Sequence, residues 1–252
     1  CLIALSIVDT EIMARYLRYN GGRPQNTQKQ NKVTDTEALK LRNVVLDQPV
    51  SKSDIPFFWH AHKSDEILVK RVLHDCFGQE LIELNDIQSI ENAKETNLLA
   101  QASTSNAVIT SPHLKATGQL FTNKHHGRMF SFFRHPVDYE ISETLTIDAN
   151  NWLTRLLSET PEKPLTFKEL GIAKHIIRET CVVGTMEHME ESLERIGAYF
   201  GWELSSGNCI FNALKDFRSP IYLDHNSLEW KALHERNTFD GLLFELADST
   251  WR

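Results

Sequence analysis

The sequence predicts an α/β fold, a central parallel sheet with helices on both faces. Short runs of four to six residues, largely apolar, recur along the chain. They alternate with segments whose apolar residues fall at helical spacing. The runs do not alternate apolar with polar, so each fits a strand covered on both faces rather than one face.

The first run is Ile55-Pro56-Phe57-Phe58-Trp59-His60, a buried strand. A polar turn, 60 to 64, follows. Ile67, Leu68, Val69, Val72, Leu73 and Cys76 then predict a helix over 65 to 77. Residues 80 to 84, 107 to 110 and 129 to 133 read as further strands, the last ended by Arg134-His135-Pro136. Helical patterns cover 138 to 148 and then a segment holding Trp152, Leu153, Leu156 and Leu157. Thr166 with Glu169 three residues on is a capping box that opens another helix. Cys181-Val182-Val183-Gly184 is the fifth strand. Residues 187 to 200 carry Met189, Leu193, Ile196 and Phe200 on one stripe, and a last helix spans 240 to 247.

The chain has 252 residues, 41% hydrophobic and 24% charged, which excludes a wholly disordered, collagen-like or multispan membrane protein. Its net charge of -7 argues against a nucleic-acid polymer as partner. Cys1, Cys76, Cys181 and Cys209 show no CxxC pair and no zinc spacing, so no metal is expected and the redox compartment stays open. Residues 1 to 50 read as an N-terminal segment and polar linker, and residues 51 to 252 as the folded domain. The apolar run 1 to 8 is too short to span a bilayer. It is either a terminal segment of the fold or the tail of a signal anchor, and only the second would bring a membrane into play.

In parallel sheets ligands sit beyond the carboxyl ends of the strands. His62-Lys63-Ser64 lies between a strand and a helix, where free N–H groups and a lysine suit a phosphate. It is not a Walker A loop, because the glycines are missing, and the pattern alone reads first as a solvated turn. Residues 96 to 137 hold no Asp or Glu, where the chain's share of 34 acids would place about six. The same stretch carries Lys115, Lys124, Arg128 and Arg134 with His113, His125, His126 and His135, a basic island in an acidic protein. Arg134 ends a strand and Ser142 lies eight residues on, so a guanidinium fork and a hydroxyl can face one crevice. The other reading pairs Arg134 with Asp138 or Glu140 and leaves Ser142 on the surface.

Trp59-His60-Ala61-His62-Lys63-Ser64 resembles the first motif of the sulfotransferases that use 3′-phosphoadenosine 5′-phosphosulfate, a strand, then WHxxKSGGTT, then a helix. Gly127 to Asp138 with Ser142 resembles their second motif, RxFxxxRHPxxRxxS. Asn150-Asn151-Trp152-Leu153-Thr154-Arg155-Leu156 is similar to an NWxTRxL segment of Golgi-type carbohydrate sulfotransferases. Val183 to His188 and the helix after Asn237-Thr238-Phe239-Asp240 fit the same pattern. The resemblance spans residues 55 to 248 and implies a P-loop-like three-layer fold.

It also implies roles. Lys63 would act on the leaving oxygen, Ser64 would hold the 5′-phosphate, and Arg134 and Ser142 would hold the 3′-phosphate. His113, 21 residues before Arg134, would be the base, with His125 and His126 as weaker candidates. Arg155 would touch a phosphate or acceptor anion, or else bridge to Glu159. The implied partners are the nucleotide donor and a carbohydrate or other hydroxyl acceptor, and the implied location is the Golgi lumen or membrane. Trp59, Trp152 and Trp202 are read as core before they are read as sugar platforms. The pattern departs where Asp65-Glu66-Ile67-Leu68 replace Gly-Gly-Thr-Thr. Two carboxylates at a helix N-terminus oppose a bound anion. The alternative expectation is therefore a non-catalytic sulfotransferase-like protein that binds a nucleotide or glycan.

Overall fold

A computed structural model describes residues 50–60, 63–84, 102, 106–114, 117–121, 126–138, 150–160, 164–215 and 223–251, with backbone only at 63–65, 119 and 251. Among the described residues there are five strands: β1 Ile55–Trp59, β2 Glu80–Glu83, β3 Ala107–Ser111, β4 Gly127–Phe133 and β5 Cys181–Thr185. They form one sheet in the order β2-β3-β1-β4-β5, and every neighbouring pair is parallel. β1 is the middle strand, with Phe57 opposite both Ile109 of β3 and Met129 of β4.

Successive side chains of these strands point to opposite faces, and both faces are apolar. Ile55, Phe57 and Trp59 join Ile109, Met129, Phe133 and Val183 in one core. Phe58 joins Val108, Phe130 and Phe132 in the other. The first core is roofed by α2 Trp152–Ser158, α3 Phe167–Thr180 and α7 Thr238–Trp251. The second is roofed by α1 Lys63–Asp75, α4 Met189–Phe200 and α5 Cys209–Leu214. The fold is thus the three-layer α/β architecture that the apolar runs predict.

Local signals account for several boundaries. Thr166 caps α3 by accepting from Lys168 N at 3.2 Å, and Glu169 accepts from Thr166 N at 2.9 Å, which is the expected capping box. α4 ends at Gly201, whose φ of 71° is the left-handed conformation a helix terminus uses and glycine adopts without strain. A Cβ on Gly127 would lie 2.7 Å from the carbonyl oxygen of Leu120, so β4 can begin there only with glycine.

Two helices escape the sequence pattern. α5 is only six residues long. α6, Leu228–Arg236, has no fully buried residue, and its half-buried face mixes Trp230 and Leu233 with His234 and Arg236, so no clean apolar stripe can be read. The strand expected over 80 to 84 stops at Glu83, and the helix expected from 187 starts at Met189. The helix expected over 138 to 148 lies largely outside the described residues, though 136–138 are helical. Cys76 at the end of α1 and Cys209 of α5 form a disulfide across 133 residues, a pairing that sequence spacing does not reveal. Among the described residues no helix is long and apolar enough to cross a membrane.

Candidate functional site

β1 leads into α1, on the second core's side, and the chain then runs to β2. β4 leads on to α2 and α3, on the first core's side, before β5. Neighbouring strands whose chains depart to opposite faces leave a crevice at their carboxyl ends, the usual place for a ligand in an open α/β sheet.

Short bonds hold that edge in shape. His60 N donates to Ser111 O at 3.2 Å, and Met186 N to Phe133 O at 2.9 Å. Ser131 Oγ donates to Trp59 O at 2.7 Å, and Ser111 Oγ to Leu84 O at 2.6 Å. Trp59 Nε1 donates to Pro112 O at 3.1 Å. Trp59 is fully buried, and Trp202 packs among Phe77, Phe130 and Phe200. Trp152 lies against the first core. All three tryptophans serve packing, as their core reading has it.

Lys63 and Ser64 are the first two residues of α1, so their N–H groups belong to its unpaired first turn. Glu66 is held by its neighbours. Its carboxylate bonds Lys70 one turn on, and Lys70 Nζ also lies 3.0 Å from Glu83 of β2. Glu66 Oε2 lies 3.2 Å from Nδ1 of His60. The charge that opposes an anion on paper is therefore answered by a lysine of its own helix. His60 is buried, and burial pushes its pKa down to about 4. Glu66 opposes that shift, while Lys70 reinforces it. His113 is exposed on the loop after β3, its N–H held by Ser111 Oγ at 3.0 Å, and it is near enough to His60 to interact with it electrostatically.

Arg134 is buried at the end of β4. Two carboxyl groups lie in its field. Burial raises the pKa of Asp138 and of Glu187, and Arg134 opposes both shifts. Glu187 also accepts from His135 N at 3.2 Å. Ser142, His62, His125, Lys115 and Lys124 lie outside the described residues.

The two described arginines of the basic island lie far apart. Arg128 starts β4 and Arg134 follows its end, six residues apart, which is roughly 20 Å of strand. Arg128 is committed there, with Nε 2.8 Å from Asp54 and an N–H to Tyr199 Oη at 2.9 Å. Arg155 serves its own helix: its guanidinium donates to Asn150 O at 2.9 Å, Asn150 Oδ1 at 2.8 Å and Thr160 O at 3.3 Å. It braces both ends of α2 through these bonds.

The segments around Asn151 and Asp240 cap each other's helices. Asp240 accepts from Leu153 N at 2.8 Å and Thr154 N at 2.7 Å, closing the start of α2. Asn151 Oδ1 accepts from Phe239 N at 2.7 Å and Asp240 N at 3.2 Å, closing the start of α7.

Buried polar atoms that make no hydrogen bond within the described chain gather at the carboxyl edge. They include His60 Nε2, Thr110 Oγ1, Asp138 Oδ1 and Thr185 Oγ1. Such atoms cost free energy in a dry interior and are found paired unless a site needs them. Sequence reasoning missed His60, Asp138 and Thr185, each of which reads as an ordinary strand-end or helix residue. The chain matches no family model and no curated protein.

Proposed function

We propose that this protein is a P-loop-like sulfotransferase that moves a sulfuryl group from 3′-phosphoadenosine 5′-phosphosulfate to a hydroxyl, on a carbohydrate. The observation that carries the reading is the shared carboxyl edge of the parallel neighbours β1 and β4. A strand–turn–helix unit bearing Lys63 and Ser64 and a buried arginine, Arg134, meet at one edge of the sheet, among polar atoms still open to a partner. A strand running straight into a helix N-terminus is the arrangement by which P-loops hold phosphates.

In this reading the acceptor oxygen forms a bond to sulfur as the bond from sulfur to the phosphate oxygen breaks. The sulfuryl unit passes in line, and the protein contributes position and charge, as in phosphoryl transfer. Lys63 offsets charge on the leaving oxygen. Ser64 and the first N–H groups of α1 take the 5′-phosphate, and Arg134 with Ser142 takes the 3′-phosphate. His113, exposed at the rim, accepts the hydroxyl proton. The products are adenosine 3′,5′-bisphosphate and a sulfate ester. The Cys76–Cys209 disulfide suits an oxidising lumen such as the Golgi.

Calorimetric titration with adenosine 3′,5′-bisphosphate tests the proposal without knowledge of the acceptor. Binding is expected, with adenosine 5′-monophosphate weaker. Arg134→Ala should weaken it roughly ten- to hundredfold, the loss of a charge-assisted bond of about 1.5–3 kcal/mol. Unchanged affinity in that variant removes the 3′-phosphate assignment. Glu66 favours a second reading, a binding protein without turnover, because its carboxylate stands beside the helix start that the donor needs. In that case the bisphosphate binds but the phosphosulfate donor does not, until Asp65 and Glu66 are both replaced by glycine.

A further inference from the structure

α6 buries none of its residues in either core. Its half-buried residues are Trp230, Leu233, His234 and Arg236, Arg236 O accepts from Asn151 Nδ2 at 3.0 Å, and a stack of rings meets the sheet edge. His135, next to Arg134, lies 5.7 Å from Trp230 at an interplanar angle of 16° and 6.1 Å from His234 at 6°. Trp230 and His234, one turn apart on α6, are 4.6 Å apart at 12°. His225, just before α6, stacks on Trp230 at 4.7 Å and 28°. Phe244 of α7 meets the His135 ring edge-on at 5.4 Å. Three imidazoles and an indole thus lie nearly parallel beside a buried guanidinium. Val137 N approaches Nδ1 of His135 at 3.4 Å, an acceptor role that only the neutral ring can fill.

The geometry points to a pH-sensitive strap: the neutral ring stack docks α6 at the carboxyl edge beside Arg134, and a proton on His135 releases it. An imidazolium at His135 would sit against two further imidazoles and Arg134, and would lose its acceptor nitrogen. The charged and titratable groups around it come from every neighbouring element. Arg134 ends β4, Asp138 lies on the following turn, and Glu187 follows β5. His225 and His234 come from α6 and its approach, and α7 presents the uncharged Phe244.

The direction of the effect follows from linkage. Burial first, then His234 and His225, hold His135 at about 4, below the 6.5 of a free imidazole. The undocked ring therefore takes its proton first. Docking is complete above pH 6.5 and weakens as pH falls towards 4. Between pH 7 and pH 5 the docking equilibrium shifts roughly twentyfold towards the released form. Asp138 and Glu187 act the other way, since burial raises both and acid favours their neutral forms. A variant that removes only the imidazole separates the two effects. The strap stands whichever ligand the crevice takes.

Hydrogen exchange of the full chain at pH 7 and pH 5, corrected for the intrinsic chemistry of exchange, reads the opening of α6 against α3. The expected result is a roughly twentyfold rise in opening across Leu228–Arg236 with no comparable rise across Phe167–Thr180. His135→Phe keeps a ring in the stack, cannot take a proton, and should abolish the rise. Constant protection of α6 over this range overturns the inference, and so does an equal rise in His135→Phe. Should that variant fail to fold, the imidazole titration of His135 in the native protein decides: a depressed midpoint supports the strap and an ordinary one near 6.5 refutes it.

Discussion

Asp54 and Arg128 form an ion pair almost wholly out of water, at the end of the sheet away from the crevice. Arg128 Nε lies 2.8 Å from Asp54 Oδ2, and the other Asp54 contact in the same loop is Ser51 N at 3.0 Å. Tyr199 takes one further guanidinium N–H, and burial raises the pKa of its phenol, which keeps it neutral. A buried pair of this kind adds little net stability, because both charges were solvated before folding. Removing one partner is different, since the other stays behind uncompensated. Asp54→Ala should cost about 3–5 kcal/mol, and replacing both residues with apolar ones of similar volume should cost less than either single change. Urea unfolding of the two singles and the double checks this. Strictly additive losses would mean that the two charges do not depend on each other.

At the scale of elements, the junction between α2 and α7 shows helices stabilised by distant residues rather than by their own flanks. Asn151 occupies the position before α2 with a φ of 50°, a left-handed conformation that asparagine tolerates. Its side chain cannot cap its own helix because it is already bonded to α7, so Asp240 does that from 86 and 87 residues away. Asp240→Ala should destabilise the protein by about 2–3 kcal/mol, for two lost helix bonds to a charged acceptor and a vacated position at the positive end of the α2 dipole. Asp240→Asn keeps one acceptor but turns an NH2 towards a backbone N–H, since both carboxylate oxygens accept, so it should recover only part of that loss. Equal losses in denaturant midpoint for the two variants would remove the charge from the account. The contrast with α3 explains what could be read in advance. The Thr166–Glu169 box is local and visible as a pattern, whereas the caps of α2 need two segments whose proximity only the folded chain supplies. α6 was illegible for another reason, because its half-buried face mixes Trp230 and Leu233 with His234 and Arg236 and so leaves no clean apolar period.

At the scale of the whole molecule, five apolar runs foretold a parallel sheet because strands covered on both faces cannot afford polar alternation. The strand order was not legible, since β3 pairs on one side of β1 and β4 on the other through non-local contacts. Lys63 starts α1 after β1 and Arg134 follows β4, and parallel strands bring both carboxyl ends to the same side. Cys76 and Cys209 were not joined, since 133 residues of separation carry no pairing signal. That bond now makes the last prediction. It ties the end of α1, the helix that begins with Lys63, to α5 and closes a long loop in the unfolded chain. Chain entropy for a loop of this size corresponds to about 5 kcal/mol at most. Cys76→Ser with Cys209→Ser should lower the urea midpoint and also steepen the transition, because the uncrosslinked unfolded chain expands and exposes more surface. A lower midpoint with an unchanged slope would put the effect in the native state instead. Peptide mapping without reductant should recover Cys76 and Cys209 as one linked species. Cys181, buried in β5 with its thiol pKa raised by burial, should be alkylated only after unfolding. Recovery of Cys76 and Cys209 as separately alkylated peptides would show that the two helices are held by packing alone, and the stability loss in the double variant should then vanish.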